Sequence, residues 1–141
     1  MADFVAEVSE RLLAGTSVSV IGAGSRTRVG PARPANALSS RSHQGVVHYE
    51  PTELVITAKA GTSLTEIESM LAAEGQMLAF EPPRFADEST FGGVVASGLA
   101  GPRRVAMGGV RDHILGVRLI NGLGEHLRFG GEVMKNVAGF D

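Results

Sequence analysis

Two stretches of this sequence carry the residue types that hold an anion by main chain. IGAGSRT, residues 21–27, places Gly22 and Gly24 at the end of a short β-branched run. A Gly-x-Gly at a strand end can turn successive backbone N–H groups toward a ligand, and such nests bind phosphate oxygens. TFGGVVASGLAGPRR, residues 90–104, is filled with small residues and closes on two arginines. Both stretches lie in acid-free surroundings. Between Leu12 and Tyr49 stand Arg26, Arg28, Arg33 and Arg41 with no Asp or Glu, and Ser89 to Val110 contains Arg103 and Arg104 with no acid. Arginines without neighbouring carboxylates favour an external anion, and each charge-assisted hydrogen bond to it contributes roughly 1.5–3 kcal/mol. Two such segments could clamp one pyrophosphate from two sides. The plain alternatives are a tight turn after a buried strand and a small-residue helix or turn packed on a sheet. Composition alone leaves the choice open.

Known nucleotide fingerprints do not fit the first stretch. A dinucleotide-binding Rossmann turn needs a third glycine opening a helix, where this chain has Thr27 and then Arg28-Val29-Gly30-Pro31. No Gly-Lys-Ser/Thr of a triphosphatase loop is present.

The elements that must position these segments are short. Phe4, Val5, Val8 and Leu12 share one side at helical spacing, with Gly15 as a stop. SVSVIG (17–22) reads as a buried strand and residues 31–45 as a long loop. VVHYE (46–50) and ELVITAK (53–59) read as strands around Pro51-Thr52. Ser63-Leu-Thr-Glu66 predicts a capping box opening a helix with a Leu64, Ile67, Leu71 stripe that ends at Gly75. QMLAF (76–80) reads as a strand broken by Pro82-Pro83. HILGVRLIN (113–121) and EHLRF (125–129) predict a hairpin around Gly122-Leu123-Gly124. Mixed α and β structure with two small sheets follows.

Composition narrows the function classes. The 141 residues carry a net charge of −2, which gives no bulk attraction to nucleic acid or anionic lipid. Aromatic residues make up 5 % with no Trp, which argues against a base-stacking platform. No apolar run reaches membrane-spanning length, and the N-terminus lacks the features of a secretory signal. With no cysteine, disulfides and thiolate metal sites are excluded within the chain. His43, His48, His113 and His126 lack metal-ligand spacing, and Asp112-His113 has no partnering nucleophile motif. No metal site and no catalytic acid–base residue is assigned. Met70, Met77, Met107 and Met134 read as packing residues.

TFGGVVASGLAGPRR, followed by MGGVRDHILGVRLINGLGEHLRFGG, resembles the vanillyl-alcohol-oxidase-like flavoproteins, whose FAD-binding domain is of the PCMH type. The ending VMKNVAGFD is similar to the FAD-binding subunits of bacterial glycolate oxidases, with Phe140 in place of their usual tyrosine. The resemblance implies an α+β PCMH-type FAD domain of two small subdomains. Residues 1–60 would form a short βαβ-type part bearing the pyrophosphate loop, and residues 61–141 an incomplete second part, a mixed or antiparallel sheet with helices. It also implies that the family's domain continues past Asp141, so that this stretch is truncated and inactive alone.

By the same resemblance, Gly22, Ala23, Gly24, Ser25, Arg26 and Thr27 would contact the FAD pyrophosphate. Thr90, Gly92, Gly93, Ala96, Ser97 and Gly98 would form a second wall, continued by Gly101, Arg104, Gly108 and Arg111. Asp112, Ile114 and Val117 would lie at the adenine side, and Lys135, Asn136 and Gly139 would approach the cofactor as the chain ends. No histidine lies in the 21–28 loop, so FAD would be bound noncovalently. The implied partners are a second flavin subunit and an iron–sulfur subunit of a complex that oxidises glycolate, a 2-hydroxy acid, and passes electrons to an acceptor. The alternatives are a non-catalytic assembly subunit of that complex and, more distantly, a regulator binding another dinucleotide. A cytoplasmic location, peripheral to the inner membrane through partners, is expected, and unpaired strand edges predict self-association.

Overall fold

The computed structural model describes residues 3–25, 36–85 and 89–131. The chain opens with α1 (Phe4–Leu13), capped by the Asp3 carboxylate, which accepts from the Val5 N–H at 3.2 Å. Within it Glu7 and Arg11 pair at 2.6 Å across one turn. The helix stops where Gly15 adopts φ 72°, while the Gly15 and Thr16 N–H groups return to the Leu12 and Arg11 carbonyls. That pattern satisfies the last carbonyls of the helix and needs a left-handed residue, which glycine supplies without strain.

Strand β1 (Ser19–Ile21) pairs in parallel with β2 (Ala37–Ser39), Ser19 opposite Ala37. The expected long loop of 31–45 therefore holds a strand and a 3-10 turn, Ser40–Ser42, in its described part. Three residues of Ala, Leu and Ser give no alternation to read, and only the parallel pairing with β1 makes them a strand. Strands β3 (Val46–Glu50) and β4 (Val55–Ala58) form the expected antiparallel pair around a turn at Pro51–Glu53.

Helix α2 (Leu64–Ala73) buries Leu64, Ile67 and Leu71, the predicted stripe. Its predicted capping box does not form, because the Ser63 side chain makes no cap hydrogen bond. Ser63 instead bridges to Thr90, and the Leu64 N–H donates to the Ser89 carbonyl at 2.8 Å. Gly75, at φ 67°, ends the helix as expected, with Gly75 and Gln76 donating to Ala72 and Leu71.

The predicted strand 76–80 does not form: residues 76–78 are irregular and 79–80 make a turn. Gln76 spends its N–H on that helix cap, and its side chain accepts from Tyr49 Oη at 2.9 Å and donates to the Pro51 carbonyl at 2.8 Å. The chain then folds back through a Glu81 N–H to Leu78 carbonyl bond of 3.0 Å, which tucks Phe80 into the core.

Helices α3 (Phe91–Ser97) and α4 (Arg104–Met107) follow, then a 3-10 turn, Val110–His113. The hairpin of β5 (Gly116–Ile120) and β6 (His126–Gly130) has Val117 opposite Phe129 and Leu119 opposite Leu127. Asn121 templates its turn, with Oδ1 accepting from the Leu123 and Glu125 N–H groups at 2.9 and 3.0 Å. Among the described residues there are thus three two-stranded sheets, where the sequence suggested two.

The core is the cluster Leu64, Phe80, Val94 and Val110, which fastens α2 and α3 to the turn before the hairpin. Met77 and Met107, read from the sequence as packing residues, are instead exposed. No helix among the described residues is long and apolar enough to cross a membrane.

Candidate functional site

The two acid-free segments meet. Gly22 follows β1 directly, and a Cβ built on it would overlap the Thr90 Oγ1 and lie 3.3 Å from Thr90 Cβ. The end of β1 can therefore reach the start of α3 only through a residue without a side chain. Gly24, at φ 71°, then turns the loop, and Gly22, Ala23, Gly24 and Ser25 are all half-buried. Arg26 and Thr27 lie outside the described residues, as do Lys135, Asn136 and Gly139.

Thr90 is buried and serves as the N-cap of α3, its Oγ1 accepting from the Gly93 N–H at 3.3 Å. The neighbouring N–H groups are used inside the protein. Phe91 donates to the Thr62 carbonyl at 2.9 Å, Gly92 to Ala60 at 2.8 Å, and Val94 to Thr90 at 3.0 Å. Gly92 is pressed onto Ala60, whose Cβ would lie 2.7 Å from an added Cβ. Its lack of a side chain is thus consumed by packing of α3 on the 60–62 segment. Thr62 is fully buried; its hydroxyl donates to the Lys59 carbonyl at 2.7 Å and accepts from the Gly45 N–H at 3.0 Å.

A second tier holds this pair of walls. Gly61 donates to the His43 carbonyl at 2.8 Å and has no room for a Cβ against Ser40 and His43. Buried Ser40 reaches the Ile21 carbonyl with its Oγ at 3.5 Å, immediately before Gly22. Sequence reasoning passed over Ser40, Ala60, Gly61 and Thr62. The signal for the last three was the small-residue run Ala60-Gly61-Thr62-Ser63 beside a predicted helix start; Ser40 had none.

The later wall residues have local partners. Ser97 donates from Oγ to the Val94 carbonyl at 2.9 Å, while Ala96 and Gly98 are exposed. Gly101 faces Glu81, whose Cβ would be 2.6 Å from an added Cβ. Glu81 itself sits at φ 47° and holds Arg103 through a 2.7 Å ion pair. The Arg103 guanidinium hydrogen bond keeps the Glu81 carboxyl below the usual carboxylate range, and Arg103 is thereby neutralised within the chain. Gly108, at φ 81°, lies against Asp112, whose Oδ2 accepts from the Gly109 N–H at 2.7 Å. Arg104, Arg111, Ile114 and Val117 are exposed.

A separate cleft of about 340 Å³ is lined by Glu68, Ala72, Gln76, Met77, Leu78, Glu81 and Pro82, none of them assigned to the cofactor. Among the described residues, no group of three or more His, Asp or Glu could hold a metal ion. What the Gly22–Thr90 junction offers chemically is a main-chain turn at Gly24, a buried hydroxyl and small side chains. It carries no acid or base evident as a proton carrier.

Comparison with known proteins bears on this arrangement. Residues 2–130 match the family model described as FAD binding domain. Glycolate oxidase subunit GlcE of Escherichia coli (strain K12) is 52 % identical over 135 residues, covering 96 % of this chain and 39 % of that protein. Glycolate oxidase subunit GlcD of Bacillus subtilis (strain 168) is 30 % identical over 87 residues, 61 % of this chain and 18 % of that protein. Among solved structures, an alkyldihydroxyacetonephosphate synthase superposes with a TM-score of 0.68 at 18 % identity, covering 98 % of this chain and 25 % of that one. That likeness shows the α+β fold of this class. The chain spans about two fifths of the length of the GlcE relative.

Proposed function

We propose, for a chain that belongs to the FAD binding domain family, that Gly22–Thr27 and the Thr90–Gly98 segment hold the FAD pyrophosphate between them. The cofactor is FAD, as the family match supports. The observation that carries the assignment of residues is the Gly22–Thr90 contact, since it brings together the two segments that lack carboxylates.

The residues present fit such a group. Gly22, Ala23, Gly24 and Ser25 supply a turn of main chain with small side chains, able to approach phosphate oxygens closely. Thr90, whose Oγ1 already accepts from Gly93, keeps its hydroxyl hydrogen for an acceptor. Because Phe91, Gly92 and Val94 direct their N–H groups into the protein, α3 contributes position and shape more than donors. Arg26, in the acid-free loop, would add a charge-assisted bond. When bound, the isoalloxazine supplies the redox chemistry, while this chain's residues fix and orient the nucleotide end. Absence of a histidine from residues 21–28 supports noncovalent binding. The same reading keeps the division into 1–60 and 61–141, with the cofactor between the loop of the first part and α3 of the second.

At the level of the whole protein, we assign the chain to a glycolate oxidase, where it works beside a second flavin subunit and an iron–sulfur subunit. The GlcE and GlcD relatives support a multi-subunit assembly. A place in the cytoplasm, reaching the membrane only through such partners, goes with this assignment.

Titrating the purified chain with FAD tests the binding. Flavin absorbance that survives desalting and is released intact by acid is expected; none retained overturns the reading. Glycolate-dependent dye reduction by the assembled complex tests the wider assignment. If turnover is unchanged when Gly22 and Thr90 are both replaced, the chain is an assembly subunit and its flavin is dispensable.

A further inference from the structure

Met77 lines the cleft beside α2 and is 58 % exposed, although it is apolar. Its sulfur meets a cation. Arg103 Nη2 lies 4.0 Å from Met77 Sδ and 2.7 Å from Glu81 Oε1. One nitrogen thus serves both neighbours, with one hydrogen for each.

The backbone on either side of this contact is held in place. Gln76, just before Met77, donates its N–H to the Leu71 carbonyl, and its side chain accepts from Tyr49 and donates to Pro51. Just after Met77, the Leu78 carbonyl accepts from the Glu81 N–H at 3.0 Å. Glu81 lies against Gly101, whose N–H donates to the Phe80 carbonyl at 2.9 Å, and Arg103 follows two residues on. Sulfur, carboxylate and guanidinium therefore meet because two anchored turns bring them together.

We propose that Met77 is an oxidation site: hydrogen peroxide converts its thioether to the sulfoxide, whose oxygen is then held by Arg103 Nη2.

In this step a sulfur lone pair attacks one peroxide oxygen and the O–O bond breaks. The second oxygen leaves as hydroxide and takes the proton of the transferred oxygen, so that water departs. Sulfur gives up two electrons and the peroxide accepts them. Negative charge grows on the peroxide oxygens as their bond breaks, and a guanidinium already in place stabilises it. The product fits the same space. A separation of 4.0 Å is too long for an N–H···O bond of about 2.9 Å, and it leaves room for one oxygen bonded to Sδ. A thioether is a weak acceptor and a sulfoxide a polar, stronger one, so oxidation tightens this contact. It ties the turn after α2 to the residue before α4. Met107 offers the contrast: it is 44 % exposed, and among the described residues its sulfur receives no hydrogen bond.

Neither the step nor its test depends on the cofactor. Limited treatment of the whole chain with hydrogen peroxide, followed by peptide mass spectrometry, measures each methionine. Met77 is expected to oxidise several-fold faster than Met107, beyond what the modest difference in exposure gives. In Arg103→Gln that preference should vanish, with circular dichroism confirming the fold. The guanidinium sits on one side of the sulfur, so one sulfoxide epimer should dominate. After unfolding, one of the two epimer-specific methionine sulfoxide reductases should then restore most of Met77 and the other little. Equal rates in the wild type, a preference that survives Arg103→Gln, or an even mixture of epimers overturns the proposal. Should Arg103→Gln fail to fold, the epimer ratio in the wild type decides.

Discussion

Gly22 at the end of β1 lies directly against the side chain of Thr90 at the start of α3, with space for hydrogen and none for a methyl group. This contact closes the distance between two parts of the chain that local sequence does not connect, and it makes the packing of each depend on the other.

Replacing Gly22 by alanine should destabilise the chain by about 1–3 kcal/mol, the usual cost of overpacking a filled site. Thr90→Ala alone removes an N-cap, at about 0.5–2 kcal/mol. In the double variant the clash is relieved, so its loss should be smaller than the sum of the two. Chemical denaturation of all four proteins measures the coupling, and strict additivity would show that the two residues do not touch in solution.

Gly92→Ala probes the seat of α3. The new Cβ would meet Ala60 Cβ at 2.7 Å and the Ala60 carbonyl at 2.8 Å, and backbone cannot move aside cheaply. A loss of about 1–3 kcal/mol is expected, although alanine is the better helix former. A gain in thermal midpoint would mean that α3 does not press on the 60–62 segment.

The Glu81–Arg103 pair should give the chain an acid-sensitive turn ahead of α4. Its carboxyl titrates below the usual range because of the Arg103 hydrogen bond, so the folded state holds fewer protons than the unfolded one. The stabilisation is present above the ordinary glutamate pKa and is lost as pH falls through the folded value. Glu81→Gln should flatten this part of the stability profile below about pH 5. Comparison of the two pH–stability curves checks it; an identical acid limb removes the pair from the account.

Leu64→Ala should cost about 2–5 kcal/mol, because Leu64 is 1 % exposed in the cluster with Phe80, Val94 and Val110. The same variant is expected to lower FAD affinity by loosening α3 relative to α2. Equal affinity in the folded fraction would separate core packing from the site.

By itself the sequence determined the elements whose signals are local. The stripe Leu64, Ile67, Leu71 repeats at helical spacing, Gly15 and Gly75 end helices through positive φ, and Gly122-Leu123-Gly124 marks the hairpin turn, each within a few residues of chain. It also determined that two segments lack carboxylates, which is a property of composition. Only the tertiary structure decided that these segments face each other and which glycines are consumed by packing. Gly92 against Ala60, Gly101 against Glu81 and Gly22 against Thr90 read alike in a sequence, because a missing side chain does not name the atom that fills its place. For the same reason Gln76–Phe80 looked like a strand. Its short apolar run suits a strand, but the hydrogen bonds that claim Gln76 involve Leu71, Tyr49 and Pro51, and only folding brings Tyr49 and Pro51 within reach.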